Sequence, residues 1–160
     1  MYRVGIGYDA HKLVRNRNLI LGGVKISYSK GLLGHSDADV LSHAIGDALL
    51  GSLSLGDLGK HFPDTDKRYK DISSLKLLNM IKKMILKHKG KIENIDSTVL
   101  AEEPKLAKYI DKMRQNIAES LDINKDRISI KATTTEGMGF VGRKQGMAAY
   151  AIVLINQGKR

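Results

Sequence analysis

The chain has 160 residues, no cysteine and no tryptophan, and 27 lysines and arginines against 17 aspartates and glutamates, a formal charge of +10. That length suits a single domain over residues 1–160, able to bury roughly two-thirds of its unfolded surface without covalent staples. The missing thiols exclude disulfides, thiolate nucleophiles and cysteine-bound zinc, so any metal must rest on imidazoles and carboxylates, and the basic excess favours anionic partners without choosing among nucleic acid, acidic lipid and phosphorylated metabolites.

The N-terminus runs straight into an alternating strand with no leader pattern, and no apolar run reaches membrane-spanning length, so a soluble, untargeted, cytoplasmic protein is expected. Val4, Ile6 and Tyr8 alternate with Gly5, Gly7 and Asp9, which predicts a first strand whose Asp9 end meets the chemistry. Leu19–Leu21 and Val24–Ile26 flank Gly22-Gly23, a two-residue hairpin signal. A first long helix is expected to begin at Ser36, because Ser36 and Asp39 form an S-x-x-D start with Asp37 in the first turn. Val40, Leu41, Ala44, Ile45, Ala48 and Leu49 mark its buried stripe, while Asp39, His43 and Asp47 stack at i, i+4 on another face, leaving His43 a carboxylate one turn above and below. Phe62-Pro63-Asp64-Thr65-Asp66 reads as an exposed loop able to serve as a lid.

Ile72, Leu75, Leu78, Ile81, Ile85 and Leu86 predict a second long helix stopping at Gly90, followed by a strand over residues 95–101. The lysines at 76, 82, 83, 87, 89 and 91 read as the solvated face of that helix and its exit. Pro104 sits where a third helix can start, carried by Leu106, Tyr109, Ile110, Met113, Ile117 and Leu121, and strands follow at Ile128–Ala132 and Met147–Ile155. The resulting order, β-β-β-α-α-β-α-β-β, implies an α/β (α+β) two-layer sandwich, a mixed sheet packed on one side by helices.

Asp9 and His11 at i, i+2, joined by His43 from a helix, supply one carboxylate and two imidazoles, the donor set of a catalytic Zn²⁺ with an open fourth position. His35-Ser36 at the predicted helix start suits either an anion site or simple N-capping, and spacing alone does not separate the two. Thr133-Thr134-Thr135-Glu136-Gly137-Met138-Gly139 gathers hydroxyls, amides and one carboxylate at a strand end, where phosphate and a second divalent ion, Mg²⁺ or Mn²⁺, can be held, although three threonines also suit a strand by propensity. Lys105 is a candidate phosphate contact and equally an ordinary surface lysine.

The combined set resembles the 2-C-methyl-D-erythritol 2,4-cyclodiphosphate synthase family along nearly the whole chain. The likeness rests on Arg3-Val4-Gly5-Ile6-Gly7-Tyr8-Asp9-Ala10-His11, on Gly31-Leu32-Leu33-Gly34-His35-Ser36-Asp37-Ala38-Asp39 through His43, on Gly56-Asp57-Leu58-Gly59 with Phe62–Asp66, and on Lys131-Ala132-Thr133-Thr134-Thr135-Glu136. The resemblance implies Zn²⁺ on Asp9, His11 and His43, and a second divalent cation, Mg²⁺ or Mn²⁺, on Glu136 with the substrate phosphates. It puts His35 and Ser36 beside those phosphates, and Asp47, Asp57 and Gly59 along the methylerythritol part, with the loop Phe62, Pro63, Asp64, Thr65 and Asp66 at the substrate. It assigns the cytidine pocket to Ala101, Pro104, Lys105, Leu106, Ala132, Thr133 and Thr134, with Thr135 next to Glu136. His35, Thr134 and Glu136 would be the catalytic group. It further implies a homotrimer with sites between neighbouring chains, and Phe140 and Arg143 near the threefold axis, where a prenyl diphosphate or another anion can bind.

Two departures stand out: Glu102-Glu103 makes the cytidine segment more acidic than suits a diphosphate, and Tyr150 stands where relatives often carry an acid facing Arg143. The activity implied is a metal-assisted lyase reaction of the non-mevalonate isoprenoid pathway on a nucleotide-diphosphate substrate, closing a cyclic diphosphate and releasing CMP. Two rivals start from other features. A basic nucleic-acid-binding module would use the +10 charge, but it lacks an arginine-aromatic run to stack bases; a zinc phosphohydrolase would use metal-bound water.

Overall fold

The alternation at the N-terminus continues well past Asp9. In the computed structural model, which describes residues 1–158, the first strand β1 spans Tyr2–Val14, followed by the hairpin β2 (Leu19–Leu21) and β3 (Val24–Ile26) and a two-residue strand β4 (Gly31–Leu32). Helix α1 (Val40–Ser52), a single turn α2 (Leu58–His61) and helix α3 (Ser74–Lys87) lead to β5 (Gly90–Leu100). Helix α4 (Ile110–Leu121), β6 (Ile128–Thr133), a short α5 (Gly139–Gly142) and β7 (Gly146–Gln157) complete the chain. All nine expected elements are present in the expected order. The additional β4, α2 and α5 are two to four residues long, too short to carry a periodic signal. No helix among the described residues is long and apolar enough to cross a membrane.

The main sheet has the order β4-β1-β7-β5-β6, with β5 and β6 parallel and the other pairs antiparallel, so it is mixed. Helix α1 lies on β1, β7 and β5, α3 packs on α1 and β5, and α4 packs on α3 and β6. The core between the layers is built from Leu41, Ile45 and Leu49 of α1, Ile81 and Ile85 of α3, and Met113 and Ile117 of α4, against Val99, Val153 and Ile155 of the sheet.

The side of β1 that faces the helices is not its apolar side. Gly5 and Gly7 point at α1, and a Cβ on either would lie 1.9 Å from a helix carbonyl, that of Ala48 for Gly5 and that of Ala44 for Gly7. Two strand residues advance about 6.7 Å and four helix residues about 6 Å, so the strand and the antiparallel helix stay in step. The next inward position, Asp9, therefore comes level with the N-terminal turn of α1, where His43 projects. Val4, Ile6 and Tyr8 instead point to the opposite face with Tyr150 and Ile152 of β7, and all five are between 46 and 68% exposed.

Two helix starts differ from expectation. Helix α1 begins at Val40 rather than Ser36, because Ala38 adopts a left-handed conformation (φ 56°) that interrupts any helix running from Ser36. Asp39 is the N-cap, accepting from the Ser42 amide, and Ser36 Oγ accepts from the Ala38 amide, closing a local turn. Helix α4 begins at Ile110 after a 3-10 turn at Ala107–Tyr109, not at Pro104. The segment ahead of it is drawn toward the end of β6 by Glu102, which accepts from the Thr135 amide at 2.8 Å.

The close approach at Gly7 yields a prediction. Gly7→Ala forces a methyl group into the Ala44 carbonyl, a rigid backbone atom, so α1 must shift. Equilibrium urea unfolding should show a loss of about 3 kcal/mol, at the upper end for overpacking.

Candidate active site

Asp9 and His11 project inward from β1, and His43 meets them from α1. Asp9 Oδ2 lies 2.8 Å from His11 Nε2 and 3.0 Å from His43 Nδ1, and those two nitrogens are 3.1 Å apart. Tetrahedral ligands about 2.0–2.1 Å from a zinc ion stand about 3.3 Å from one another, so small rotations of these side chains admit the ion. One carboxylate oxygen and two imidazole nitrogens are the right donors for it, and three protein ligands leave a fourth position open. Among the described residues they are the only group of three or more His, Asp or Glu side chains close enough to share one metal ion.

The two imidazoles are held from behind. His11 Nδ1 donates to the Leu33 carbonyl at 2.8 Å, which turns Nε2 toward Asp9. Burial works to raise the Asp9 carboxyl, but hydrogen bonds and charge from His11 and His43 outweigh it and hold the group well below the usual carboxylate range. Burial likewise works to lower His11, and the hydrogen bond and charge of Asp9 win, raising it.

The carboxylates one helical turn above and below His43 do other work. Asp39 is fully buried and turned away, accepting from the amides of Gly22, Gly23 and Ser42 at 2.8–3.0 Å and from the Ser42 hydroxyl at 2.8 Å. It thereby ties the β2–β3 hairpin to the start of α1; burial and then the Asp37 charge raise its carboxyl, against those hydrogen bonds. The cap of α1 is thus Asp39, not Ser36, and His35 and Ser36 lie in the turn before it. Asp47 accepts from the Leu58 amide at 2.8 Å, and burial raises its carboxyl in spite of that bond. His43 Nε2 instead faces two hydroxyls, Ser36 Oγ at 3.0 Å and Ser74 Oγ at 2.9 Å.

A cavity of about 360 Å³ opens over the three ligands, and His35, Ser36, Asp47, Phe62 and Asp64 of the expected site line it. The loop after α2 forms one wall, where the Phe62 ring stands edge-on to Tyr69 and the Asp66 carbonyl lies 3.3 Å from His35 Nε2. Asp57 caps α2 by accepting from the Lys60 amide, with Gly59 on that turn. Tyr69, Ile72 and Leu77 also line the cavity. Sequence reasoning missed them, and Ser74 too, because their place at the site depends on how α3 and the segment leading into it dock rather than on any local pattern.

The remaining expected residues lie elsewhere in the same chain. Register carries Asp9 across Ala149 and Val99 to Ala132, three strand spacings away, or about 14 Å. Thr133, Thr134 and Glu136 follow Ala132 at that far edge, where the Thr134 hydroxyl donates to Glu136 at 2.8 Å. Lys105 is exposed, whereas Ala101 and Leu106 are buried. Glu102 faces the Thr135 amide, and Glu103 pairs with Lys144 at 2.6 Å, so both acids of the unexpectedly acidic segment are engaged within the chain. Phe140 and Arg143 line a second cavity with Lys12, Lys30 and Lys144, and the Tyr150 ring packs on Tyr8, 4.8 Å between centroids.

Two substitutions separate ligation from folding. His43→Ala should leave unfolding unchanged to within about 1 kcal/mol while zinc binding, followed by competition with a chromophoric chelator, is lost. Asp39→Ala should cost about 3 kcal/mol in thermal or urea unfolding, because it strands buried amides of Gly22 and Gly23 and removes the α1 cap.

The comparisons with known proteins agree with one another. The YgbB family model matches residues 2–156. The 2-C-methyl-D-erythritol 2,4-cyclodiphosphate synthase of Alkaliphilus metalliredigens is 62% identical over 155 residues, 97% of this chain and 98% of that protein. The enzyme of the same name from Clostridium kluyveri is 63% identical over 153 residues, 96% of this chain and 93% of its own length. Among solved structures, IspF of Plasmodium falciparum in its CDP complex superposes with a TM-score of 0.86 at 34% identity, covering 99% of this chain and 97% of that one. The bifunctional IspDF of Campylobacter jejuni gives a TM-score of 0.95 at 42% identity; 99% of this chain matches 43% of that longer one. The chain belongs to the YgbB family, the family of the 2-C-methyl-D-erythritol 2,4-cyclodiphosphate synthases.

Proposed function

We propose that the chain converts 4-diphosphocytidyl-2-C-methyl-D-erythritol 2-phosphate into 2-C-methyl-D-erythritol 2,4-cyclodiphosphate and CMP, a lyase reaction of the non-mevalonate isoprenoid pathway in the cytoplasm. The observation that carries this reading is the triangle of Asp9 Oδ2, His11 Nε2 and His43 Nδ1 on the floor of an open cavity. The substrate's 2-phosphate attacks its own β-phosphorus and CMP leaves, so no protein nucleophile is needed and the task is to fold and neutralise a polyanion. Zn²⁺ on Asp9, His11 and His43, and Mg²⁺ or Mn²⁺ on Glu136, supply cationic charge at the phosphate oxygens. Ser36 and His35 border the phosphates, Asp47 and Asp57 the methylerythritol hydroxyls, and the Phe62–Asp66 loop excludes water above them. Thr134 and Lys105 hold the diphosphate of the cytidine end.

The reading includes a homotrimer. The ligand triangle and the Thr133–Glu136 edge are about 14 Å apart across one sheet, too far for one diphosphate, whereas a neighbouring chain can bring its own edge to the triangle. Val4, Ile6, Tyr8, Tyr150 and Ile152 form the apolar sheet face that such neighbours would cover. In that assembly the cavity of Phe140 and Arg143 approaches the threefold axis and suits a prenyl diphosphate or another anion.

Mass spectrometry of the reaction mixture should detect CMP and the cyclic diphosphate in equal amounts; release of inorganic phosphate without a cyclic product would select a hydrolase instead. Lys105→Ala should weaken CDP binding about tenfold by calorimetry, consistent with the loss of one charge-assisted contact.

A mixing experiment addresses the shared site. His43→Ala chains and Thr134→Ala, Lys105→Ala chains, refolded together, should regain activity, because about one interface in three of each mixed trimer pairs two intact halves. Mixed trimers as inactive as both parents would mean that each site is built within one chain.

A further inference from the structure

Behind His43 lies a chain of hydrogen bonds that the family resemblance did not bring forward. Ser74 is the first residue of α3, 1% exposed, and its hydroxyl oxygen is 2.5 Å from Asp37 Oδ1 and 2.9 Å from His43 Nε2. Asp37 is fixed in turn. Its Oδ2 accepts from the Ser74 amide at 2.9 Å and its Oδ1 from the Asp39 amide at 3.1 Å. Asp37 thus caps α3 from a distant loop, a service that the Ser73 side chain does not perform.

With a cation between Asp9, His11 and His43, the proton count along this chain has one consistent solution. A carboxylate only accepts, so the single hydroxyl hydrogen of Ser74 goes to Asp37. The Ser74 lone pairs are then what His43 Nε2 meets, and a lone pair there would oppose them, so Nε2 carries the hydrogen and donates it. A neutral imidazole with its hydrogen on Nε2 presents a lone pair on Nδ1, the nitrogen that faces Asp9 Oδ2 and His11 Nε2, and a cation held among these three atoms is what that lone pair meets; without one, Nδ1 would carry the hydrogen and donate it to Asp9. Ser36, 3.0 Å from Nε2, is then not needed as a donor to the ring, and its own hydroxyl hydrogen is left for the cavity that it lines.

We infer that Asp37 and Ser74 are positioning residues that hold His43 with its hydrogen on Nε2, so that Nδ1 is the ligand atom of the metal centre. The inference rests on the zinc reading above and deepens it, since partners behind a ligating imidazole set both its tautomer and its orientation.

The test uses the full-length protein titrated with zinc. Ser74→Ala should raise the zinc dissociation constant by about tenfold to a hundredfold, the usual effect of removing such a partner. In ¹⁵N-labelled, zinc-loaded wild-type protein the His43 Nε2–H should be a slowly exchanging resonance close to the Ser74 β protons, and in Ser74→Ala it should move and exchange faster. Ser74→Cys, of similar size but a poor acceptor, should behave as Ser74→Ala does, and Ser74→Thr, which restores the hydroxyl, should recover most of the affinity. Zinc held as tightly by Ser74→Ala as by wild type, with the ring N–H unmoved, overturns the inference and leaves the metal reading standing. Zinc held as tightly by His43→Ala as by wild type overturns both.

Discussion

Everything at the site depends on how near α1 comes to β1. Two glycines at i, i+2 on the strand let helix carbonyls settle directly on the sheet, and the in-step advance of strand and helix carries that closeness along to Asp9 and His43. With ordinary side chains at 5 and 7, their Cβ atoms would collide with those carbonyls and the helix would have to stand further off. A carboxylate has a short reach, so the metal triangle exists because the backbones are already close. The apolar alternation of Val4, Ile6 and Tyr8, read alone, suggests a strand with a buried hydrophobic face, but those side chains point away from the helices and the glycines form the inner face. Here the absence of side chains, rather than their packing, positions the chemistry.

The sequence made the strands and the candidate ligands legible because both are local patterns. Asp9 and His11 share a face by strand periodicity, and the apolar stripe of α1 fixes the direction in which His43 projects. The start of α1 was misread because S-x-x-D occurs at Ser36 while the acceptor that caps the helix is Asp39 itself; only the left-handed backbone at Ala38 separates the two, and no residue type announces it there. The partners of the neighbouring acids are hidden for a related reason. Helical spacing puts Asp39 and Asp47 one turn from His43, but a short carboxylate takes the nearest unsatisfied amide, and the hairpin at Gly22-Gly23 and the turn at Leu58 supply those. The partner that does meet His43, Ser74, lies 31 residues away in sequence and is invisible to any local rule.

The charges follow a similar division of labour. The lysines of α3 read as a solvated face, and Lys76, Lys83 and Lys87 are exposed there. Of the basic residues near the expected phosphate region, Lys144 is engaged with Glu103, while Lys105 is exposed. A net charge of +10 therefore raises the local concentration of a polyanionic ligand without specifying where it binds. Specific placement comes from ligands and amides held rigidly in the fold.

The sheet that supports the metal triangle also sets the limit of what one chain can do. Its register puts the triangle and the Thr133–Glu136 edge at the same level but three strands apart, and no side-chain motion closes about 14 Å while the strands between remain paired. A ligand that needs both must find the second on another molecule. The face of the sheet opposite the helices carries Val4, Ile6, Tyr8, Tyr150 and Ile152, and exposed apolar area of that kind is relieved by a partner. Under the proposed reading one association meets both needs: covering the apolar face of β1 and β7 brings in the missing edge, so the same contacts that stabilise the assembly complete the site.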